Sequence, residues 1–404
     1  MLKSIKTMSS DDALVLALVA AAFFPWAASF ALLAIIAVAL LIIRRTRKLI
    51  FADRKAVKWL APFVPIALIP PAAHGNWLGV ACGVGVILFF ALFLYLRRAL
   101  TPRRIDAAFN LICGLSIFAA VYAVIEKLVY IKHPALAEGS IVLPSNDELR
   151  CASLFGNPNE YSSVIVIAVL IAAHMFLEKK GNRWFYALCI GFNLVGMLLC
   201  ASLMGILELY FGLFALLILR KEWKWVAVYG ALSAVGGAAL WLLPKMLPHL
   251  SVAGNSFDLR VRIWKLAVIM LKEAALFGRG ILSYWKFSPD YVGQDLGFKV
   301  RVTTNAHNLL LDGLLSFGII GMALLVVYLV KLLRPALRRY RDGSGRGLSA
   351  VAFAAIIGAL VHGVCDVTIL WPQVTVLFFL VFAASVYVRP TGQEKISSQQ
   401  DLRL

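Results

Sequence analysis

The sequence predicts an all-α polytopic membrane protein with about twelve transmembrane helices and a long external loop that contains interfacial helices. Of its 404 residues, 61% are hydrophobic and only 15% are charged, and the mean hydropathy is +0.85. Soluble domains are nearer half apolar and one quarter charged, so this composition disfavours soluble, disordered and fibrous proteins. The recurrence of long apolar stretches along the whole chain is the third observation, and it indicates one integral membrane domain over residues 1–404.

The apolar stretches have lengths near that needed to cross a bilayer core. They lie near 12–24, 27–43, 57–71, 77–96, 107–129, 159–177, 183–201, 203–219, 225–243, 305–330, 348–366 and 371–388. The first two form one apolar region that is too long for a single straight span, so we interpret it as a hairpin broken at Pro25. A cleaved signal peptide is disfavoured there because no small-residue cleavage site ends the first stretch.

The distribution of positive charge predicts the orientation. The chain has 40 Lys and Arg residues against 21 Asp and Glu, a net charge of +19, and most of the positive residues fall in loops on one side. By the positive-inside trend that side is cytoplasmic, as are both termini, including a polar tail at 390–404. In so apolar a chain we expect these charges to contact membrane lipids rather than nucleic acid. The six cysteines form no CxxC motif, which disfavours a disulfide or zinc framework.

Two external connections are long, namely 130–158 and 244–304, the second lying between spans nine and ten. The longer loop carries nine Lys or Arg residues against four acidic residues. A basic external loop runs against the positive-inside trend, so it indicates an anionic ligand at the membrane surface.

One candidate feature is the segment 258–277, whose apolar and basic residues alternate with near-helical spacing. Arg260 and Trp264 share one face, whereas Arg262 lies off it. Such a helix could lie in the interface with its guanidinium groups reaching phosphate, or it could be a plain interfacial anchor.

Two further features border the membrane on the external side. His307 and Asn308 stand where the long loop becomes an apolar helix, and an imidazole there could accept a proton from an alcohol or be merely structural. The segment "RCASLFGNPNEYSS", 150–163, ends the shorter loop; its Asn residues, including Asn159, suit helix capping, and Arg150 could join the basic cluster.

Four other ionisable residues fall in or next to predicted spans. Glu208 and Asp312 are costly inside a membrane unless they are paired or face water, so each is a functional candidate. His362 and Asp366 are four residues apart and could pair with each other. Two such groups do not make a metal site, and the sequence leaves the role of all four open.

The motifs together resemble the bacterial O-antigen ligase/polymerase superfamily. His307-Asn308, followed after nine residues by Gly318-Ile-Ile-Gly321, resembles the H-[NSQ]-x9-G-x-x-G signature of O-antigen ligases. The stretch Arg260-Val-Arg-Ile-Trp264 with "ALFGRG" is similar to the R-x3-[LW]…PLFGxG stretch of that superfamily, and "FGNPNEYSS" resembles its loop before a middle span. Family members often carry Ser-Arg-Gly between two middle spans, where this chain has Ser202-Leu203; the resemblance then leaves Arg150 or the Arg260 helix to supply that charge.

The resemblance implies a glycosyltransferase of the bacterial inner membrane. One candidate base and no carboxylate nucleophile indicate a single displacement with inversion and no metal requirement, and we expect no cofactor. The implied enzyme would transfer polysaccharide from undecaprenyl pyrophosphate to lipid A-core oligosaccharide at the periplasmic face. The implied catalytic base is His307, and Arg260 would bind the pyrophosphate. The remaining candidates for substrate binding are Arg262, Arg150, Asn308, Asn159 and Trp264.

Several alternatives remain open from the sequence. A polysaccharide polymerase or a protein O-oligosaccharyltransferase of the same superfamily would share these motifs. A lipid or sugar transporter also fits twelve spans and buried acids, although the two long loops fall at unrelated positions in the two halves. The sequence does not identify the transferred sugar, the acceptor hydroxyl or the oligomeric state.

Overall fold

The computed structural model describes residues 9–133, 150–242 and 249–387, and within these ranges every regular element is helical. The all-α prediction is therefore confirmed, and the protein is a polytopic membrane protein. The predicted tail at 390–404 and most of the predicted external loop at 130–158 lie outside the described residues.

The helices follow the predicted apolar stretches closely. The first half of the chain contains α1 (Ser10–Ala22), α2 (Trp26–Ile42), α3 (Arg44–Phe51), α4 (Arg54–Leu60), α5 (Phe63–Ala73), α6 (Trp77–Ala99) and α7 (Pro102–Lys132). The second half contains α8 (Pro158–Leu177), α9 (Arg183–Cys200), α10 (Leu203–Leu219), α11 (Trp223–Leu242), α12 (His249–Lys272), α13 (Ser283–Phe287), α14 (Leu309–Arg341), α15 (Arg346–His362) and α16 (Pro372–Val386). Single 3-10 turns occupy Ser288–Tyr291 and Thr368–Leu370.

The predicted break at Pro25 is confirmed, because α1 ends at Ala22 and Pro25 occupies the N-cap of α2. The number of spans is not confirmed. Among the described residues, six helices are long and apolar enough to cross a membrane, or seven if α2 and α3, which are bent by 84°, count as one broken span. Helices α10, α15 and α16 are apolar but shorter.

Helix α8 forms the axis of the bundle. Its most apolar window is 89% buried, whereas the same measure for the other candidate spans is at most 44%. A helix that is hydrophobic on all sides is buried in protein or in lipid, and here α7, α9, α10, α15 and α16 pack against it. Because α8 begins at Pro158, its first turn places Asn159 at the centre of one end of the bundle, which we call the site end.

Helix α14 is broken at Gly318, where φ is +64° and ψ is −176°. The break frees backbone groups that need partners, and the segment after α12 supplies them. The N–H groups of residues 319 and 320 donate to the carbonyls of 275 and 276, and the carbonyls of 315 and 316 accept from the N–H groups of 279 and 280, at 2.8–3.1 Å. The first part of α14 therefore lies along the end of α12.

This arrangement gives the long loop a small hydrophobic core of its own. Side chains from α12, from the turns that follow it and from the first part of α14 are buried together, namely Ile263, Leu266, Ala267, Met270, Tyr284, Tyr291, Ala306 and Leu315. The predicted helical character of the loop is confirmed by α12 and α13. The loop is thus a folded unit at the site end, and it holds the segment that carries His307.

We expect Gly318→Ala to destabilise the fold strongly. The backbone conformation at Gly318 is one that only glycine adopts readily, and an added Cβ would lie 2.3 Å from backbone atoms of Leu276. The strain alone costs about 1–3 kcal/mol, so the unfolding temperature in detergent should fall. Gly114→Ala, in an open position of α7, is the control and should leave stability unchanged or slightly raised. Equal unfolding temperatures for the two variants would contradict this account of the break.

Candidate active site

The turn between α15 and α16 gathers the site. We call residues 363–366 the hub turn, because each of them contacts a residue from another part of the chain. The carbonyls of 363, 364 and 365 accept, in that order, from the backbone N–H of Leu309 at 2.7 Å, the side-chain amide of Asn308 at 2.9 Å and the Nε of Arg260 at 3.0 Å. The fourth residue, Asp366, contacts its neighbours through its side-chain carboxylate.

The carboxylate of Asp366 lies between two of the predicted site residues. Its Oδ1 is 3.4 Å from the Nδ1 of His307, slightly longer than an ordinary hydrogen bond but close enough for charge pairing. Its Oδ2 accepts a hydrogen bond of 2.6 Å from the side-chain amide of Asn159. The side chain of His307 keeps 27% of its surface exposed, whereas that of Asp366 keeps 8%. The pair is therefore buried on the carboxylate side and open on the imidazole side.

Burial by itself raises the pKa of Asp366, but the effect of its neighbours is larger. The close approach and charge of His307, the charge of His362 and the hydrogen bond from the N–H of Val367 hold the pKa of this carboxyl well below its usual range. The lowered pKa favours the carboxylate form of Asp366. A fixed negative charge beside an imidazole orients the ring and stabilises its protonated form.

His307 itself is held in an uncommon conformation. Its φ is +47°, in the left-handed region that non-glycine residues rarely adopt. Its backbone N–H donates to the Oδ1 of Asn305 at 2.9 Å, and its carbonyl accepts from the Nε1 of Trp264 at 3.3 Å. Trp264 therefore positions the backbone of His307 through its indole N–H. Strained residues that are held by several contacts cluster at functional sites.

Arg150 and Asn159 form the other side of the site. The Nη2 of Arg150 donates to the Oδ1 of Asn159 at 2.9 Å, and its Nε donates to the carbonyl of Cys200 at 2.9 Å. The hydroxyl of Ser202 donates to the same Oδ1 at 2.9 Å. Asn159 therefore links Arg150 to Asp366, while Asn157 caps α8 by accepting from the N–H groups of the first turn. Arg150 contacts the connection between α9 and α10, where members of the resembled superfamily often carry an arginine and this chain has Leu203.

The structure separates the two arginines of α12. Arg260 is partly buried and its Nε reaches the hub turn, whereas Arg262 is exposed and lies on another face of the helix. Asn308 caps α14 by accepting from the N–H of Leu311 at 2.9 Å, and its amide donates to the hub turn. Arg260 and Trp264 therefore adjoin the His307–Asp366 pair, Arg262 does not, and Asn308 holds the backbone next to it.

Sequence reasoning missed two members of the site, Asp366 and Ser202. The spacing of His362 and Asp366 indicated that they could pair with each other, but the structure gives each a different partner. Asp366 contacts His307 and Asn159, while the Nδ1 of His362 lies 2.6 Å from the Oε2 of Glu208. The position of Asp366 just after an apolar helix marks it as a functional candidate. Its partner His307, however, lies 59 positions earlier in the sequence, and no local pattern predicts a contact over that separation.

Two more polar residues have local structural roles. Asp312, in the first turn of α14, accepts a hydrogen bond of 2.9 Å from the N–H of Ala306 and so braces the segment before His307. Glu126, in α7, accepts from the N–H groups of Ala152 and Ser153 at 3.2 and 2.8 Å, which fixes the segment after Arg150. In the part of the chain that the structure describes, no group of three His, Cys, Asp or Glu residues could hold a metal ion.

The comparison with known families gives a match over the middle of the chain. Residues 161–326 match the sequence family described as O-antigen ligase. This chain carries a domain of the O-antigen ligase superfamily. Members of the O-antigen ligase family are glycosyltransferase-like enzymes that act on polysaccharide and lipid substrates. The matched segment includes Arg260 and His307, whereas Asp366 lies beyond it. No curated protein matches the chain significantly.

We expect Asn159→Leu to lower the free energy of unfolding by about 1–3 kcal/mol, because leucine leaves the carboxylate of Asp366 and the guanidinium of Arg150 without their shared partner. The measurement is thermal unfolding in detergent. Asn110→Leu is the matched control: Asn110 accepts one hydrogen bond from Tyr186 away from the site end, so its loss should cost only about 1 kcal/mol. If the two variants lost equal stability, Asn159 would not be a link between charged groups.

Proposed function

We propose that this member of the O-antigen ligase superfamily is the ligase itself, which transfers a polysaccharide from undecaprenyl pyrophosphate to lipid A-core oligosaccharide at the periplasmic face of the inner membrane. The observation that carries the proposal is the hub turn, which brings the His307–Asp366 pair within one residue of the contact made by Arg260. Glycosyl transfer from a pyrophosphate donor needs a base for the acceptor hydroxyl and a nearby cation for the leaving pyrophosphate.

In the proposed reaction, the acceptor hydroxyl oxygen attacks the anomeric carbon while the bond from that carbon to the pyrophosphate oxygen breaks. The hydroxyl proton passes to the Nε2 of His307, since its Nδ1 faces Asp366. Asp366 stabilises the imidazolium that forms, and their distance would shorten once the ring is charged. The lipid pyrophosphate leaves as a stable anion, and the proton returns to solvent through the exposed side of His307. One displacement of this kind inverts the anomeric configuration.

Arg260 is the first candidate for holding the pyrophosphate, with Arg150 and Arg262 as further candidates. Arg260 is fixed to the hub turn through Nε, which sets the plane of its guanidinium beside His307. Arg150 approaches from the opposite side through Asn159. The exposed Arg262 would contribute to the positive field that attracts the donor rather than bind it at the reacting centre.

The distribution of charge supports a periplasmic site and cytoplasmic termini. Helices α8, α10 and α14 all begin at the site end, and their other ends carry Glu178, Arg220 and the basic run 338–341. Arg220 pairs with Glu178 at 2.8 Å there. A cluster of Lys and Arg at helix ends is typical of the cytoplasmic side, so the site end would face the periplasm of the inner membrane.

We expect His307→Ala to reduce transfer by roughly 10²–10⁴-fold, the usual contribution of a positioned base. The measurement is the amount of capped lipopolysaccharide in cells and the transfer rate of purified protein, at equal protein levels. His74→Ala is the matched control, because His74 is exposed and lies next to Phe287 of the long loop rather than at the hub turn. Normal transfer by His307→Ala would show that the base assignment is wrong.

We expect Arg260→Lys to raise the KM for the lipid-linked donor by about tenfold or more. Lysine keeps the positive charge but lacks the Nε that binds the hub turn and the planar fork that matches a phosphate. Donor titration in a reconstituted transfer assay measures the effect. Arg301→Lys, in an exposed position of the same loop, should keep the KM within about twofold. An unchanged KM for Arg260→Lys would argue against bidentate binding.

Deletion of the gene separates the ligase from a polymerase of the same superfamily. Loss of a ligase leaves bare lipid A-core while long lipid-linked polymer accumulates. Loss of a polymerase instead leaves core capped by a single repeat, and that result would overturn the ligase assignment while leaving the chemistry of His307 in place.

A further inference from the structure

A second polar cluster lies directly beneath the hub turn, and the reaction described above does not use it. It consists of Ser163 in α8, Glu208 in α10, His362 at the end of α15 and Thr368 in the following 3-10 turn; we call it the buried quartet. Glu208 Oε2 lies 2.6 Å from the Nδ1 of His362 and accepts from the hydroxyl of Ser163 at 2.8 Å. The Ser163 hydroxyl is also 2.8 Å from that of Thr368.

The buried quartet is shielded from solvent almost completely. Ser163, Glu208, His362 and Thr368 are 1%, 4%, 0% and 4% exposed. An acid and an imidazole in such a place are expensive unless they pair with each other, and removal of one partner leaves the other uncompensated. Two glycines bring the helices close enough for the contact: a Cβ at Gly205 would lie 2.3 Å from Ser162, and one at Gly358 would lie 3.1 Å from Glu208.

The position of the buried quartet relative to the hub turn is its most informative property. His362 is the residue immediately before the hub turn, and Thr368 follows Asp366 by two residues, so the quartet holds the turn at both ends. The N–H groups of Cys365 and Asp366 also donate to the carbonyl of His362, at 3.0 and 3.1 Å. Ser163 is one helical turn from Asn159, which binds Asp366 directly.

We infer that Ser163, Glu208, His362 and Thr368 are positioning residues, which fix the hub turn so that Asp366 stays aligned with His307. This rests on the proposed function for its catalytic consequence, but its structural part stands alone. The quartet is too deeply buried for us to expect direct contact with donor or acceptor. It acts through the hub turn, so its loss should slow the chemical step and leave donor binding nearly unchanged, since small misplacements of a catalytic group are costly.

The test uses the full-length protein in lipid nanodiscs and two variants, Thr368→Val and Glu208→Gln. Thr368→Val preserves shape and removes one hydroxyl, so it should fold even if Glu208→Gln does not. We expect faster hydrogen exchange of the backbone amides of 364–367 and a kcat about tenfold lower, with the donor KM within about twofold. Thr368→Ser retains the hydroxyl and should restore both the exchange rate and kcat.

His174→Gln is the matched control. His174 is a buried histidine of α8 that contacts Arg220 at the opposite end of the bundle, at 2.9 Å, so its replacement should change neither exchange at 364–367 nor kcat. Unchanged exchange and kcat in folded Thr368→Val would overturn the inference, as would an equal effect of His174→Gln. If the wild-type protein transfers no glycan to lipid A-core, the proposed function fails, and the exchange data alone decide whether the quartet holds the turn.

Discussion

The arrangement of this end of the molecule depends on one short turn in which successive backbone carbonyls and a carboxylate all have partners from distant parts of the chain. The carbonyls of 363–365 bind the start of α14 and the arginine of α12, and Asp366 binds Asn159 and faces His307. Most of this turn is buried, so its backbone polar groups need partners, and here the partners are groups of the candidate site. The conformation of the turn and the arrangement of the site therefore depend on the same contacts.

Composition and periodicity sufficed to predict the helices because a bilayer imposes its length and polarity on every span. The break at Pro25 was predictable because proline cannot continue a helix, and it is confirmed. Composition and periodicity did not suffice to predict the number of spans. The stretch 305–330 reads as one apolar segment, but its helix starts at Leu309 and breaks at Gly318, because segment 275–280 supplies the backbone partners that a straight helix would have supplied itself.

The candidate site was predictable only as far as its residues are local in sequence. His307, Arg260 and Trp264 stand out through their position at the start or on one face of a helix, and the structure places all three together. Asp366 stood out only as a possible partner of His362, because helical spacing is the only contact that a sequence displays directly. Its actual neighbours come from α8 and from the segment before α14, and their approach depends on how α8 fills the centre of the bundle.

The central position of α8 has a consequence for the lipid environment. Peripheral helices respond to the thickness and composition of a bilayer by tilting, since they contact the acyl chains. Helix α8 is covered by protein along most of its length, so we expect bilayer thickness to affect Asn159 and Ser163 less than residues on the outer helices. One side of the candidate site, that of Asn159, therefore lies on a helix that the acyl chains scarcely reach.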